Sequence, residues 1–309
     1  MLTVSSRVSD VKRACEICGD VTWSIVHSGL VRNGHIKHPK IDGCIVECQS
    51  CGVWRLCEEF CIPDTFYESG EYRSLVDQAL AEPDAFSTQD DLAFQIACAF
   101  NTIGGLANLR NASVLDVGCG VGSLLDLCAN IATKTAGIEP CQPYHSLLIS
   151  RGHTVFENLE AAKAAAPGSF DWSFCIQVIE HVSDPVSFLS AIGELLTPKS
   201  QLVLTTPNRD DLLVSLLPEY KEFFFRTQHR WYFNAESLAY CANLAGFSTE
   251  SVHFTQKYPL GNFVNWLKDR KPTGMAAVAG IDSDSDALWK LLLERNHRSD
   301  TLIAVLRKS

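Results

Sequence analysis

Ser113-Val114-Leu115-Asp116-Val117-Gly118-Cys119-Gly120-Val121-Gly122 is the stretch that decides how the rest of the chain folds. The apolar run Val114–Val117 predicts a strand, and Ser123–Ala132 predicts a helix directly after it. Glycines at 118, 120 and 122 permit positive φ and let a ligand approach the backbone closely. The helix that follows offers N–H groups with no intrahelical partner. A second strand, Thr135–Ile138, ends on Glu139, whose carboxylate can accept both hydroxyls of a ribose. Nucleotides bind at the carboxyl ends of such strands, near a switch in strand order. The spacing is Gly-x-Gly-x-Gly and not the Gly-x-Gly-x-x-Gly of dinucleotide-binding loops. Asp116, two residues before the first glycine, suits a cofactor that carries an ammonium group and suits a pyrophosphate poorly. The bland alternative is a tight structural turn in an α/β protein.

Outward from this loop, strands and helices alternate. Helices are expected at Gln142–Arg151, Leu159–Ala166 and Pro185–Leu196, and strands at Thr154–Phe156, Asp171–Gln177 and Gln201–Thr205. That alternation implies a mainly parallel sheet covered by helices on both faces. Beyond Pro207 the pattern changes. Residues 208–233 read as an insertion, apolar at Leu212–Leu217 and aromatic at Phe223–Phe225, fit for a lid or a homodimer surface. A helix Ala235–Ala245 ends at Gly246. The strand Phe247–Thr255, a loop at Thr273–Asp286, a helix Ala287–Arg295 and a strand Thr301–Leu306 close the chain. Before the loop, Gln89–Leu109 has helical spacing, with Ser87 or Thr88 placed to cap it.

These segments, with Phe170 to Pro185, Thr205-Thr206-Pro207-Asn208 and His229-Arg230-Trp231-Tyr232-Phe233, resemble the class I S-adenosylmethionine-dependent methyltransferases. The resemblance covers roughly Ser113 to Phe247 and the last strand. It implies a Rossmann-like, seven-stranded, mainly parallel α/β sheet with helices on both faces. It also implies site roles. Gly118, Cys119, Gly120 and Gly122 would pack against the methionine part of the cofactor, and Asp116 would orient its amino group. Glu139 would hold the ribose hydroxyls, Pro140 would flank adenine or ribose, Asn158 and Leu159 would lie by the adenine, and Gln177 would line the methionine end. Some quinone-pathway relatives place a metal beside the Glu180–His181 pair with an acid three residues earlier. Gln177 stands there in this chain, which argues against that metal.

Methyl transfer requires alignment of the acceptor and a base when the acceptor is a hydroxyl or an acidic carbon. His181, directly after the fourth strand of the sheet, is one choice. His229, among Phe223–Phe225, Arg230, Trp231 and Tyr232, is the sharper candidate, and packing of the insertion accounts for it equally well. Tyr232 and Tyr220 are candidate hydrogen-bond donors.

Seven of the 13 cysteines fall between Cys15 and Cys61. Cys15-Glu16-Ile17-Cys18-Gly19 and Cys48-Gln49-Ser50-Cys51-Gly52 are two Cys-x-x-Cys-Gly knuckles, each turn presenting two sulfurs to one ion. Together Cys15, Cys18, Cys48 and Cys51 make a closed tetrahedral set for structural zinc, with iron of the same geometry as the alternative. A closed site has no place for reacting water, so its expected work is to hold together a small zinc-ribbon-like module. Cys44, Cys57 and Cys61 are extra, and His35 and His38 read as exposed loop residues.

Composition sets the outer limits. The chain has 309 residues, of which 46% are hydrophobic, enough for a sizeable core. Its net charge of −10 argues against nucleic acid as a partner, because phosphate-gripping proteins carry basic faces. No apolar run spans a membrane, Met1–Arg13 has no apolar export stretch, and so a cytoplasmic location is expected. The expected division is 1–63 for the zinc module, 64–110 for a connector and helix, and 111–309 for the cofactor-binding catalytic domain. The expected activity is methyl transfer to a small molecule, a sugar or nucleotide-linked sugar by resemblance of the cysteine module. The alternatives are ribosomal RNA methylation and a non-catalytic cofactor-binding scaffold.

Overall fold

The computed structural model describes residues 13–34, 40–63, 65–68 and 86–309. The expectations for residues 1–12, His35, His38, most of the connector and the capping side chains at Ser87 and Thr88 lie outside the described residues. Among the described residues, no helix is long and apolar enough to cross a membrane.

The chain forms two compact units. The first comprises Met1–Ile62, Pro207–Leu238 and His253–Leu302, and the second comprises Pro63–Thr206, Ala239–Val252 and Ile303–Ser309. This differs from a division at residue 63: the 208–233 segment belongs with the cysteine knuckles.

The second unit carries the body of a seven-stranded sheet. Its strands are β4 (Ser113–Val117), β5 (Lys134–Ile138), β6 (Thr154–Phe156), β7 (Phe170–Ile176), β8 (Leu196–Pro207), β10 (Phe247–Thr255) and β11 (Thr301–Lys308). Their order is β10-β11-β8-β7-β4-β5-β6, and the β4·β5, β4·β7, β5·β6 and β7·β8 pairs are parallel. This is the Rossmann-like arrangement the alternation implied. The switch in order falls at β4, whose neighbours are β5 and β7, so the glycine loop after β4 opens where ligands bind in such sheets. Val114, Leu115, Phe174 and Val203 are fully buried, as expected for strands covered on both faces. The helix Phe86–Thr102 supplies Ile96, Ala99 and Phe100 to this core. Phe100 meets Phe174 edge-on at 5.6 Å.

The first unit contains a second sheet, β1 (Trp23–Arg32), β2 (Lys40–Cys48), β3 (Trp54–Leu56) and β9 (Trp231–Tyr232), in that order. The β9 strand pairs antiparallel with β3, Trp54 opposite Tyr232 and Arg55 opposite Trp231. The reading of residues 208–233 as a lid or dimer surface is therefore corrected. Helices Leu212–Leu216 and Pro218–Phe224 bury Leu213, Val214, Leu217, Tyr220 and Phe224, together with Phe225, against Val31, Ile45 and Leu56. A single three-stranded sheet has too little apolar surface to make a core alone, and the aromatic segment completes it. The helix Leu260–Asp269, absent from the sequence reading, adds Trp266, whose ring meets Tyr220 edge-on at 4.9 Å.

Candidate functional site

In the second unit β4 ends on Asp116-Val117 and the chain turns through Gly118, Gly120 and Gly122, at φ of 77°, 51° and 85°. The three glycines serve different ends. A Cβ at Gly118 would lie 2.5 Å from Val178 Cγ2, and one at Gly122 would lie 2.4 Å from Leu148 Cδ2. Those two allow close packing of the loop. A Cβ at Gly120 would meet nothing within 4 Å, so Gly120 borders open space. Arg151 Nη1 steadies the far side of the loop, donating to the Val121 carbonyl at 3.0 Å and to Asp126 at 2.8 Å.

Asp116 pairs with Gly137 across β4 and β5, which brings the ends of both strands together. Its carboxylate is 4% exposed and makes no hydrogen bond among the described residues. Burial, and then the charge of Glu139, push it up to about 7. A buried carboxylate with no donor is costly unless a positive charge meets it.

Glu139 is held differently. Its Oε2 accepts from the Gly120 N–H at 2.8 Å and its Oε1 from the Cys141 N–H at 2.9 Å. His145 Nε2 donates to the Glu139 carbonyl at 2.6 Å. Burial raises the Glu139 carboxyl, against these two backbone hydrogen bonds. Each oxygen keeps acceptor capacity for a hydroxyl.

Asn158 caps the helix Leu159–Ala165, its side chain accepting from the Ala161 N–H at 2.9 Å. One lone pair of its oxygen is thus used by the fold, and its amide N–H groups remain to offer a ligand. Leu159 opens that helix, and Pro140 is half-buried at the end of β5. Cys119 is 5% exposed and packs into the core cluster. Gln177 sits just past β7 with φ 56°, a strained position for a residue other than glycine. Thr205 holds it there: the Gln177 N–H donates to the Thr205 carbonyl at 3.0 Å, and Gln177 Nε2 donates to Thr205 Oγ1 at 3.2 Å. Threonines 205 and 206 were read only as a motif, yet both fix site residues. Thr206 Oγ1 donates to the fully buried Glu180 at 3.1 Å, which makes Glu180 a packing anchor beside His181. His181 is half-buried.

In the first unit His229 is 6% exposed, its ring 5.9 Å from that of Tyr232. Tyr232 is 1% exposed, and its hydroxyl is engaged by the 226–232 turn, accepting from the Arg226 N–H at 2.9 Å and donating to the Arg226 carbonyl at 3.2 Å. Tyr220 likewise donates to Asp211 at 2.9 Å. Both hydroxyls are consumed within the unit, where burial also raises them.

The four knuckle cysteines converge. Gly19 and Gly52 take φ of 78° and 72°, and their N–H groups close the turns on the Cys15 and Cys48 carbonyls at 2.8 and 2.9 Å. The sulfurs lie within 4.8 Å of one another, with Cys15–Cys51 at 3.8 Å and Cys18–Cys48 at 3.4 Å. A tetrahedral ion with Zn–S bonds of about 2.3 Å sets sulfurs about 3.8 Å apart, so the set fits. Asp20 Oδ2 ties the two turns together by accepting from Ser50 Oγ at 2.7 Å. Cys44 and Cys57 belong instead to a small apolar cluster with Val46.

A family described as methyltransferase domain matches residues 74–252, more than half of the chain. A ubiquinone biosynthesis O-methyltransferase of Paracidovorax citrulli is 34% identical over 118 residues, 35% of this chain and 49% of that protein. One of the same name from Thiobacillus denitrificans is 32% identical over 159 residues, 47% of this chain and 68% of that protein. The chain thus spans about half the length of the first and somewhat more of the second. A solved S-adenosylmethionine-dependent methyltransferase from Thermotoga maritima shares the fold, with a TM-score of 0.50 at 16% identity over 79% of this chain and 99% of that one. With the match to residues 74–252 laid over the β4 glycine loop, Asp116 and Glu139, the chain belongs to the methyltransferase-domain family.

Proposed function

We propose that this chain transfers a methyl group from S-adenosylmethionine to an oxygen atom of a small molecule. The observation that carries the reading is Asp116: a buried carboxylate without a hydrogen bond among the described residues, beside a loop whose middle glycine borders open space. When bound, the cofactor supplies an activated methyl group on a sulfonium. In this reading Asp116 meets its ammonium group and Gly118, Cys119, Gly120 and Gly122 back its methionine part. Glu139 takes the ribose hydroxyls, Pro140, Asn158 and Leu159 flank the adenine, and Gln177 faces the methionine end. His229 or His181 accepts the proton of the acceptor hydroxyl. Tyr232 holds the 226–232 turn. Cys15, Cys18, Cys48 and Cys51 hold a structural zinc ion.

An oxygen acceptor is favoured by the relatives named for O-methylation. A sugar or nucleotide-linked sugar is the finer reading, and it rests on the resemblance of the cysteine module. Calorimetry with S-adenosylmethionine, followed by transfer of labelled methyl to a panel of phenols and nucleotide-linked sugars, tests both levels. Binding plus transfer to one class is expected. A folded, metal-loaded protein that does not bind the cofactor would refute the activity. Transfer to phenols alone would refute the sugar.

A further inference from the structure

Among the described residues the first unit buries Arg32, Arg55 and Arg230 and nearly buries Arg209, and three of these four follow one rule. Arg55, 4% exposed, pairs with Glu16 at 2.7 Å and with Glu58. Arg230, 6% exposed, pairs with Glu58 at 2.6 Å. Arg209 pairs with Glu47 at 3.3 Å. Each of these three has its carboxylate, as the cost of desolvating a charge requires.

Arg32 breaks the rule. It is 4% exposed, ends β1, and has no ion pair among the described residues. Its Nε and Nη2 are buried without a hydrogen-bond partner, as is Nε of Arg226. The backbone places these two residues side by side. The Arg32 N–H donates to the Phe225 carbonyl and the Thr227 N–H donates to the Arg32 carbonyl, both at 3.0 Å, making a parallel bridge between Arg32 and Arg226. The Arg32 guanidinium lies over the Phe223 ring, 4.0 Å from its centroid. Burial depresses Arg32, and the neighbouring Arg226 charge adds to it. The remaining groups that act on Arg32 are the hydroxyls of Tyr220, Tyr232 and Tyr258.

Among the described residues, Asp211 and Asp300 of this unit are held by other donors. Asp211 accepts from Tyr220 Oη at 2.9 Å and the Leu213 N–H at 2.8 Å. Asp300 accepts from the N–H groups of Lys257 and Tyr258 at 3.0 and 3.3 Å. Two adjacent guanidinium groups, three orphaned nitrogen donors and no paired acid among the described residues describe a place prepared for an anion. Arg226, Phe223 and Tyr258 are only half-buried, so this group lies at the edge of the buried region.

We infer that Arg32 and Arg226 form a binding site for a phosphate group. A dianionic, tetrahedral phosphate matches two positive charges and three donors better than a planar carboxylate of single charge. The site lies wholly within the first unit and does not depend on the methyl-transfer reading. The phosphate is either a free anion or part of a larger ligand such as a nucleoside diphosphate.

Calorimetry and thermal melting of the full, metal-loaded chain test this at constant ionic strength, with inorganic phosphate, pyrophosphate and uridine diphosphate against chloride and acetate. Saturable binding of phosphate or pyrophosphate at one site per chain is expected, with a melting shift that acetate does not reproduce. Arg226→Gln should weaken it by about tenfold or more, the loss of one charged hydrogen-bonding partner, and Arg32→Gln should abolish it. Both variants should keep S-adenosylmethionine binding, which separates failure of this site from failure of the cofactor reading. Tighter binding of uridine diphosphate than of pyrophosphate identifies the phosphate as part of a larger ligand, and equal binding identifies a free anion. A phosphate response no larger than that of acetate, or an Arg226→Gln variant that binds as the parent does, overturns the site. Should Arg32→Gln fail to fold, the Arg226 variant decides alone.

Discussion

The Glu139 carboxylate accepts the N–H of Gly120 at 2.8 Å, so the end of β5 holds the middle of the glycine loop that follows β4. One side chain thus shapes the loop and, in the proposed complex, meets the ribose.

Glu139→Ala should therefore weaken S-adenosylmethionine binding by roughly tenfold or more, because hydrogen bonds to a charged group are worth about 1.5–3 kcal/mol. Glu139→Gln, which keeps acceptor oxygen but loses the charge, should fall between. Calorimetry reads both, and parental affinity in the alanine variant would remove Glu139 from the site.

Asp116 sets a pH dependence. Burial and the Glu139 charge raise it from 3.8 to about 7. As pH rises, the unfolded chain releases this proton first and the folded chain keeps it until about 7. The contribution of Asp116 to stability is therefore fully present below 3.8 and is lost as the pH rises through about 7. A cationic cofactor prefers the ionised form. Its affinity should fall by about tenfold per pH unit below the folded pKa and level off above it. Asp116→Asn should bind weakly with a flat profile. Calorimetry across this range would count against the assignment if the parent protein were flat.

The three loop glycines should respond differently to alanine. All three positions carry the left-handed backbone penalty of about 1–2 kcal/mol. Gly118→Ala and Gly122→Ala add clashes with Val178 and Leu148 and should lower the melting temperature most. Gly120→Ala has open space around it, so it should melt closer to the parent and lose cofactor affinity instead. Equal affinity in Gly120→Ala would place the cofactor elsewhere.

Metal removal is the fourth test. Purified protein should hold one zinc ion per chain, and a strong chelator should release it and lower the melting temperature, since ligand binding to the folded state adds directly to stability. Cys18→Ser should reduce metal content. Metal analysis showing none, with no response to the chelator, would end the assignment.

Phe225 is fully buried, with Tyr232 at 5.0 Å and Phe224 at 5.5 Å between ring centroids. Phe225→Ala should cost about 3–5 kcal/mol. A surface lid would tolerate the change, so a small loss in chemical denaturation would contradict the core role of residues 208–233.

The elements around the glycine loop were legible because their signals are local. Thr154–Phe156 and Phe247–Thr255 form strands at the expected bounds, and Pro185 opens a helix behind an Asp184 cap. The β1 strand was not legible. Its burial alternates only in part along Trp23–Arg32, so the period-two signal of a strand is weak there. The partner of Tyr232 was not legible, because nothing in the sequence shows that its hydroxyl closes on Arg226.

By itself the sequence determined the β4 loop, the acids Asp116 and Glu139 and the two cysteine knuckles, since strand period, glycine spacing and Cys-x-x-Cys turns act over a few residues. Only the tertiary structure decided what residues 208–233 do. An apolar, aromatic segment has the same composition whether it forms a lid, a dimer face or a core. The choice was made by the long-range pairing of Trp231–Tyr232 with Trp54–Arg55, which turns Phe225 inward and sets Arg226 beside Arg32.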